Sequence, residues 1–208
     1  MSQRPLTLTE LTDRKSDLLL PWLDLYETAF PPPLRLLASI FLDILRDKEH
    51  GRPCFKTLLA ALDEASLVGM AAYEILRLDD FATEICSLWY FAVAPEVRNR
   101  GLGTRFYQAL LARIPSPVIL IEVEMPEEAP DVIHRRLDER RIAFYRRQGA
   151  RRLLGVRYLQ TVGPHQPLTP MHLMWHARCP FSPEDAFRIA RRLFGGDCVY
   201  QTGALTLE

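Results

Sequence analysis

The stretch that decides the fold is Leu88-Trp89-Tyr90-Phe91-Ala92-Val93-Ala94-Pro95-Glu96-Val97-Arg98-Asn99-Arg100-Gly101-Leu102-Gly103-Thr104. Its first six residues are apolar or aromatic and read as a buried strand. The residues that follow, Arg105 to Arg113, carry Phe106 and Leu110 at helical spacing, continued by Ile114. The order is therefore strand, basic glycine loop, helix. It brings backbone N–H groups, a helix N-terminus and guanidinium groups to one point, which is how proteins bind phosphate. Gly101 and Gly103 would let the backbone approach the anion with no Cβ between them. Two common phosphate loops do not fit. The dinucleotide fingerprint needs a third glycine where this chain has Phe106, and no Gly-Lys-Ser/Thr follows to make a Walker loop.

What remains is Arg-x-x-Gly-x-Gly, formed by Arg98, Gly101 and Gly103. With Ala92-Val93-Ala94-Pro95 in front, it resembles the acetyl-CoA pyrophosphate loop of the GNAT acetyltransferase superfamily. Downstream, Arg141-Ile142-Ala143-Phe144-Tyr145-Arg146-Arg147-Gln148-Gly149-Ala150 is similar to the family's second motif, a helix carrying Phe-Tyr. Gly149 suits the left-handed end of such a helix. Between the two lies Val118-Ile119-Leu120-Ile121-Glu122-Val123-Glu124. Its Leu-x-Glu-Val resembles the strand that carries a catalytic glutamate in some members, N-terminal protein acetyltransferases included. The resemblance is sharp from Ala82 to Leu154 and weaker from Leu6 to Arg77, where the element order alone matches.

The resemblance implies an α/β fold of GNAT type, a central mixed twisted β-sheet flanked by helices. A GNAT domain is expected over 1–178, with 179–208 a C-terminal helical extension packed on it or at a dimer contact. Along the chain, Leu6–Thr9 reads as a strand and Lys15–Phe30 as a helix in which Pro21 marks a break. A second helix follows Pro31-Pro32-Pro33, from Leu34 to Lys48. A hairpin is expected from Phe55–Leu62 and Leu67–Arg77, turning at Asp63-Glu64, then a strand over Ala82–Val93. Val118–Glu124 reads as a strand, Pro126–Asp131 as a loop and Val132–Gln148 as a helix. Arg151–Gln160 and Met171–His176 read as a final strand pair, joined by an extended connection over 161–169. Ser182, Pro183 and Asp185 are N-cap, N1 and N3 of a last helix that stops at Gly195-Gly196. The residues beyond are expected to be loose.

Composition bounds the function. Of 208 residues 48% are hydrophobic, enough for a sizeable core, and 26 Lys plus Arg balance 26 Asp plus Glu. That balance asks for neither nucleic acid nor an anionic membrane as partner. The four cysteines are scattered, without zinc or disulfide spacing, as in a reducing compartment. His172 and His176 sit in an alternating, strand-like segment that would hold their imidazoles roughly 13 Å apart, so no metal site is expected. No basic segment followed by a long apolar run opens the sequence, and Leu18-Leu19-Leu20 is cut by Pro21. A cytoplasmic enzyme is expected.

The resemblance also assigns roles. The loop Arg98, Asn99, Arg100, Gly101, Leu102, Gly103 and Thr104 would hold the pyrophosphate of acetyl-CoA. The strand end Phe91, Ala92 and Val93 would pair with the pantetheine arm and offer an N–H to the thioester carbonyl. Tyr145 would lie near the thioester sulfur and serve as acid. Glu122 leads as the base; Glu124 is on its side of the strand, roughly 7 Å on, and Glu84 is the third candidate. Apart from the resemblance, the segment from Met125 to Asp131 departs from the shorter family connection, and its acidic charge would attract a cationic amine. The leading reading is acetyl transfer from acetyl-CoA to a primary amine of a small molecule by direct attack in a ternary complex. A peptide N-terminal acetyltransferase and a non-catalytic acyl-CoA-binding module are the alternatives, and monomer and homodimer both stay open.

Overall fold

Alternating apolar runs and turn residues build one mixed eight-stranded sheet and five α-helices in a computed structural model, which describes residues 6–81, 83–161 and 168–208. The strands are β1 (Thr7–Leu11), β2 (Lys56–Asp63), β3 (Ser66–Leu76), β4 (Ile85–Val93), β5 (Val118–Glu124), β6 (Arg151–Gln160), β7 (Thr169–Ala177) and β8 (Val199–Leu207). The helices are α1 (Leu19–Ala29), α2 (Ala38–Glu49), α3 (Leu102–Arg113), α4 (Val132–Arg147) and α5 (Pro183–Phe194). The sheet order is β1-β2-β3-β4-β5-β7-β6-β8. Contacts divide the chain into two units, residues 1–77 with 86–115, and residues 78–85 with 116–208.

In the first unit β1, β2 and β3 pair antiparallel, and the β2–β3 turn carries Glu64 at φ 58°. The core is aromatic. Trp22 and Phe41 meet edge-on at 5.1 Å, as do Tyr26 and Tyr90 at 4.8 Å, and Trp22 Nε1 donates to the Leu59 carbonyl at 3.1 Å. Helix α1 begins at Leu19 instead of Lys15. Pro21 thus falls in the first turn, where a missing N–H costs nothing, and starts the helix instead of breaking it. The prolines after it form a short 3-10 turn over Pro32–Leu34, which delays α2 to Ala38. Gly69 on β3 makes room for α3: a Cβ there would stand 2.8 Å from the Phe106 ring and 3.0 Å from the Ala92 carbonyl.

In the second unit β7 lies between β5 and β6, antiparallel to both, and β8 is antiparallel to β6 on the outside. The expectation of a loose tail is corrected here. Residues 199–207 are a strand, because their β-prone sequence supplies β6 with the hydrogen-bonding neighbour it otherwise lacks. Gly155 (φ 78°) marks a bulge in that pairing, and a Cβ on it would collide with the Ala204 carbonyl. Helix α5 begins as expected, with a capping box between Ser182 and Asp185, and buries Ala186, Ile189 and Ala190 against β6 and β8. The strand expected from Ala82 begins at Ile85, and residue 82 lies outside the described residues. Most of the connection over 161–169 lies outside them as well. Among the described residues no single helix is long and apolar enough to cross a membrane.

Candidate active site

Strand β4 ends at Val93, a 3-10 turn spans Pro95–Val97, and the chain then reverses through Asn99 (φ 63°) and Gly101 (φ 73°) into α3. Left-handed residues in a turn ahead of a helix start are a backbone device from which anion-binding concavities are built. The first N–H groups of α3 have no acceptor within the helix. Residues Arg98 to Gly101 are exposed, whereas Leu102 is buried and anchors the turn. Arg98 Nε donates to the Val93 carbonyl at 3.0 Å, so the guanidinium is tied to the end of β4. Gly101 has open space where a Cβ would be, so its positive φ is what requires glycine. Gly103 and Thr104 form the first turn of α3. Phe91 stacks on Phe106 at 4.7 Å and meets Tyr107 edge-on at 5.6 Å, which fixes the strand end against α3; Ala92 is buried. The loop fits a pyrophosphate in charge, exposure and backbone shape.

The same unit holds a half-open cavity of about 420 Å³, lined by Leu25, Leu67 and Pro95 with Asp24, Thr28, Ser66 and Glu96 as its polar groups. That volume lies in the usual range for a small-molecule site.

In the second unit Glu122 stands on β5 opposite Leu173 of β7, and Tyr158 of β6 stands opposite Met171 of β7. Side chains two apart share a face, so Glu122, Met171, Leu173, Tyr158 and Gln160 lie together. Tyr158 donates its hydroxyl to Glu122 Oε2 at 2.5 Å, and Gln160 Nε2 donates to the same oxygen at 3.0 Å. Burial pushes the Glu122 carboxyl above the ordinary range, and the two donors offset only part of that rise. Burial and the neighbouring carboxylate hold the Tyr158 phenol far above its ordinary value, so the shared proton stays on the phenol. Tyr158 is fixed from its other side by Phe194, 4.6 Å away.

A model of the acetyltransferase (GNAT) family matches residues 19–150. The chain belongs to the GNAT acetyltransferase family. It is thereby an N-acetyltransferase, and acetyl-CoA is the typical cosubstrate of its family. A GNAT-family acetyltransferase structure from Bacteroides thetaiotaomicron superposes with a TM-score of 0.71 at 22% identity, over 91% of this chain and 98% of that one. Arabidopsis thaliana NAA60 in complex with acetyl-CoA gives 0.58 at 13% identity, over 83% and 98%. The aminoglycoside N(6')acetyltransferase of Legionella pneumophila gives 0.57 at 13%, over 85% and 94%. These likenesses show the fold. A search of the curated proteins found no match.

The remaining predicted residues of this GNAT enzyme fall in different settings. Tyr145 is buried on α4, and burial pushes its phenol up to about 12, against the pull of Arg141. Glu124 is ion-paired with Arg141, which also faces Asp138 at 3.7 Å. Glu84 lies just before β4, where its backbone carbonyl accepts from Ser116 Oγ at 2.5 Å; it is not on the strand itself. The acidic segment contains a 3-10 turn over Pro126–Glu128, and its carboxylates are partnered. Glu127 meets His172 at 3.3 Å, Glu128 meets Arg157 at 3.3 Å, and Asp131 caps α4 by accepting from the His134 N–H at 2.8 Å. Sequence reasoning missed Tyr158, Gln160 and Arg141. The alternation of Tyr158 and Gln160 was visible, but only the strand order β5-β7-β6 brings them to Glu122.

Proposed function

We propose that this GNAT enzyme acetylates the primary amine of a small molecule by direct attack in a ternary complex. The observation that carries the proposal is Glu122, a carboxylate raised by burial, held by two neutral donors and touched by none of the described cations. Such a group takes a proton from an ammonium more readily than an ordinary surface carboxylate. Glu124 is committed to Arg141, and Glu84 precedes strand β4 instead of lying on it.

Bound acetyl-CoA supplies an activated thioester. Arg98, Arg100 and the N–H groups of the 98–104 loop hold its pyrophosphate, and an N–H from the Phe91–Val93 strand end polarises the thioester carbonyl. Glu122 removes one proton from the ammonium. As the C–N bond forms and the C–S bond breaks, the second proton would pass from nitrogen to water and the sulfur would leave as thiolate. Tyr145 stabilises that thiolate as a hydrogen-bond donor. Its phenol, at about 12, is a weaker acid than a thiol near 8.5, so complete transfer of its proton would run uphill by about 5 kcal/mol. Cys86 is buried within β4, which supports direct attack over an acyl-cysteine.

The acidic segment supports a cationic acceptor. Burial and Arg152 hold the His172 imidazole below its ordinary value, so it adds little positive charge beside Glu127, and Arg152 offsets part of the Glu127 charge. A cytoplasmic location belongs to the same reading.

The test is free-CoA release from acetyl-CoA with polyamines, aminoglycosides, amino acids and short peptides, for wild type, Glu122→Gln and Tyr145→Phe. Turnover on one class of small primary amine, cut at least tenfold by either change, is expected. Turnover on peptides alone would turn the reading to an N-terminal peptide acetyltransferase. Tight acetyl-CoA binding with no turnover on any amine would turn it to a non-catalytic module.

A further inference from the structure

The polar cluster on β5 and β6 is rich in acceptors. Both hydrogen bonds to Glu122 fall on Oε2, and Oε1 accepts none from the described residues. Gln160 Oε1 is buried and has no hydrogen-bond partner among the described residues. A buried acceptor without a donor is costly. The amide cannot flip to relieve it, because the flip would set Oε1 against a carboxylate oxygen and remove the donor that Glu122 uses. The unpaired oxygen is thus a consequence of the bond that holds Glu122.

No described lysine, arginine or histidine contacts this carboxylate, and Arg141 on the neighbouring position is spent on Glu124. On the intervening strand β7, Leu173 and Met171 lie between the two acceptors, both buried and apolar. A negative charge, a second unpaired acceptor and aliphatic neighbours fit a group with a positive charge, several N–H donors and a methylene next to nitrogen. We propose that Glu122 Oε1 and Gln160 Oε1 together bind the acceptor as a primary alkylammonium, with Tyr158 as the positioning residue that holds the carboxylate. The proposal rests on the reading of Glu122 as the carboxylate that serves the amine. It adds that N–H donors, and not charge alone, are selected.

Tyr158 is the reporter. The protein is labelled with 13C at tyrosine Cζ, the Tyr158 signal is assigned through Tyr158→Phe, and n-butylammonium chloride is titrated against tetramethylammonium chloride at equal ionic strength. A saturable shift with n-butylammonium is expected, at least tenfold weaker with tetramethylammonium, which has no N–H. Gln160→Met should weaken the n-butylammonium response at least tenfold with no fall in thermal midpoint. Equal responses to the two cations, or an unchanged response in Gln160→Met, would overturn the proposal; if that variant does not fold, the two cations on wild type decide alone.

Tyr158→Phe removes a donor that favours the charged carboxylate. It should move the pH midpoint of n-butylammonium binding upward, read by calorimetry, and an unmoved midpoint takes Tyr158 out of the proposal. The other titratable groups facing the cluster are Glu124 with its partner Arg141, and Cys198 beside Tyr158. The outcome is separable from that of the CoA-release assay, because the titration contains no acetyl-CoA. Acetyl transfer without ammonium selectivity keeps the transferase and rejects the subsite. Selectivity without transfer does the reverse.

Discussion

At the scale of single residues, Glu122 trades stability for basicity. Below the ordinary carboxylate range the group is protonated in the folded and unfolded chain alike, and its burial costs no charge. As pH rises, the unfolded chain releases the proton first while the folded chain still holds it, so folding stability falls through the raised folded pKa. Glu122→Gln removes this dependence. Thermal unfolding should find the variant more stable than wild type at pH 8, with the advantage gone near pH 4, although CoA release has dropped. Tyr145 has a different signature. Because its phenol stays protonated up to about 12, Tyr145→Phe should lower kcat roughly 10²-fold at every neutral pH, with little change in KM and no shift of the pH profile. A pH profile displaced by Tyr145→Phe would mean that the phenol exchanges its proton during turnover.

At the scale of elements, the β6–β8 pairing depends on a single conformation. Gly155→Ala places a Cβ against the Ala204 carbonyl at a positive φ and should cost roughly 1–3 kcal/mol, seen as a lower midpoint in urea. That pairing also shows where the sequence stops being legible. The loop over 98–104, the start of α5 at Ser182 and the end of α4 at Gly149 rest on residues adjacent in the chain, and each is written locally as a cap, a glycine or a turn. Strand β8 was not legible, because Val199–Leu207 has no charged residue to mark a face and becomes ordered by the neighbour it pairs with. Tyr158 and Gln160 escaped for the same reason. Their partner lies on another strand, and nothing in 151–160 says that β7 will be inserted between them. Glu122 is singled out by a family pattern, and that pattern says nothing of its hydrogen-bond partners.

At the scale of the whole molecule, a ligand that binds only the folded chain adds to its stability by mass action. Acetyl-CoA at a hundred times its dissociation constant should add about 2.7 kcal/mol and raise the unfolding midpoint. If the 98–104 loop holds the pyrophosphate, Arg98→Ala with Arg100→Ala should remove most of that increase. Added salt should erode what remains in wild type, since exposed guanidinium groups are screened. An undiminished increase in the double variant would move the phosphate contacts away from these arginines.

The close approach of Phe106 to Gly69 has an evolutionary reading. Two positions thirty-seven apart in sequence share one volume, so neither can vary alone. Among related chains, an alanine at 69 should be accompanied by a smaller residue than phenylalanine at 106. In a double-mutant cycle, Gly69→Ala should cost far less stability on a Phe106→Leu background than on wild type.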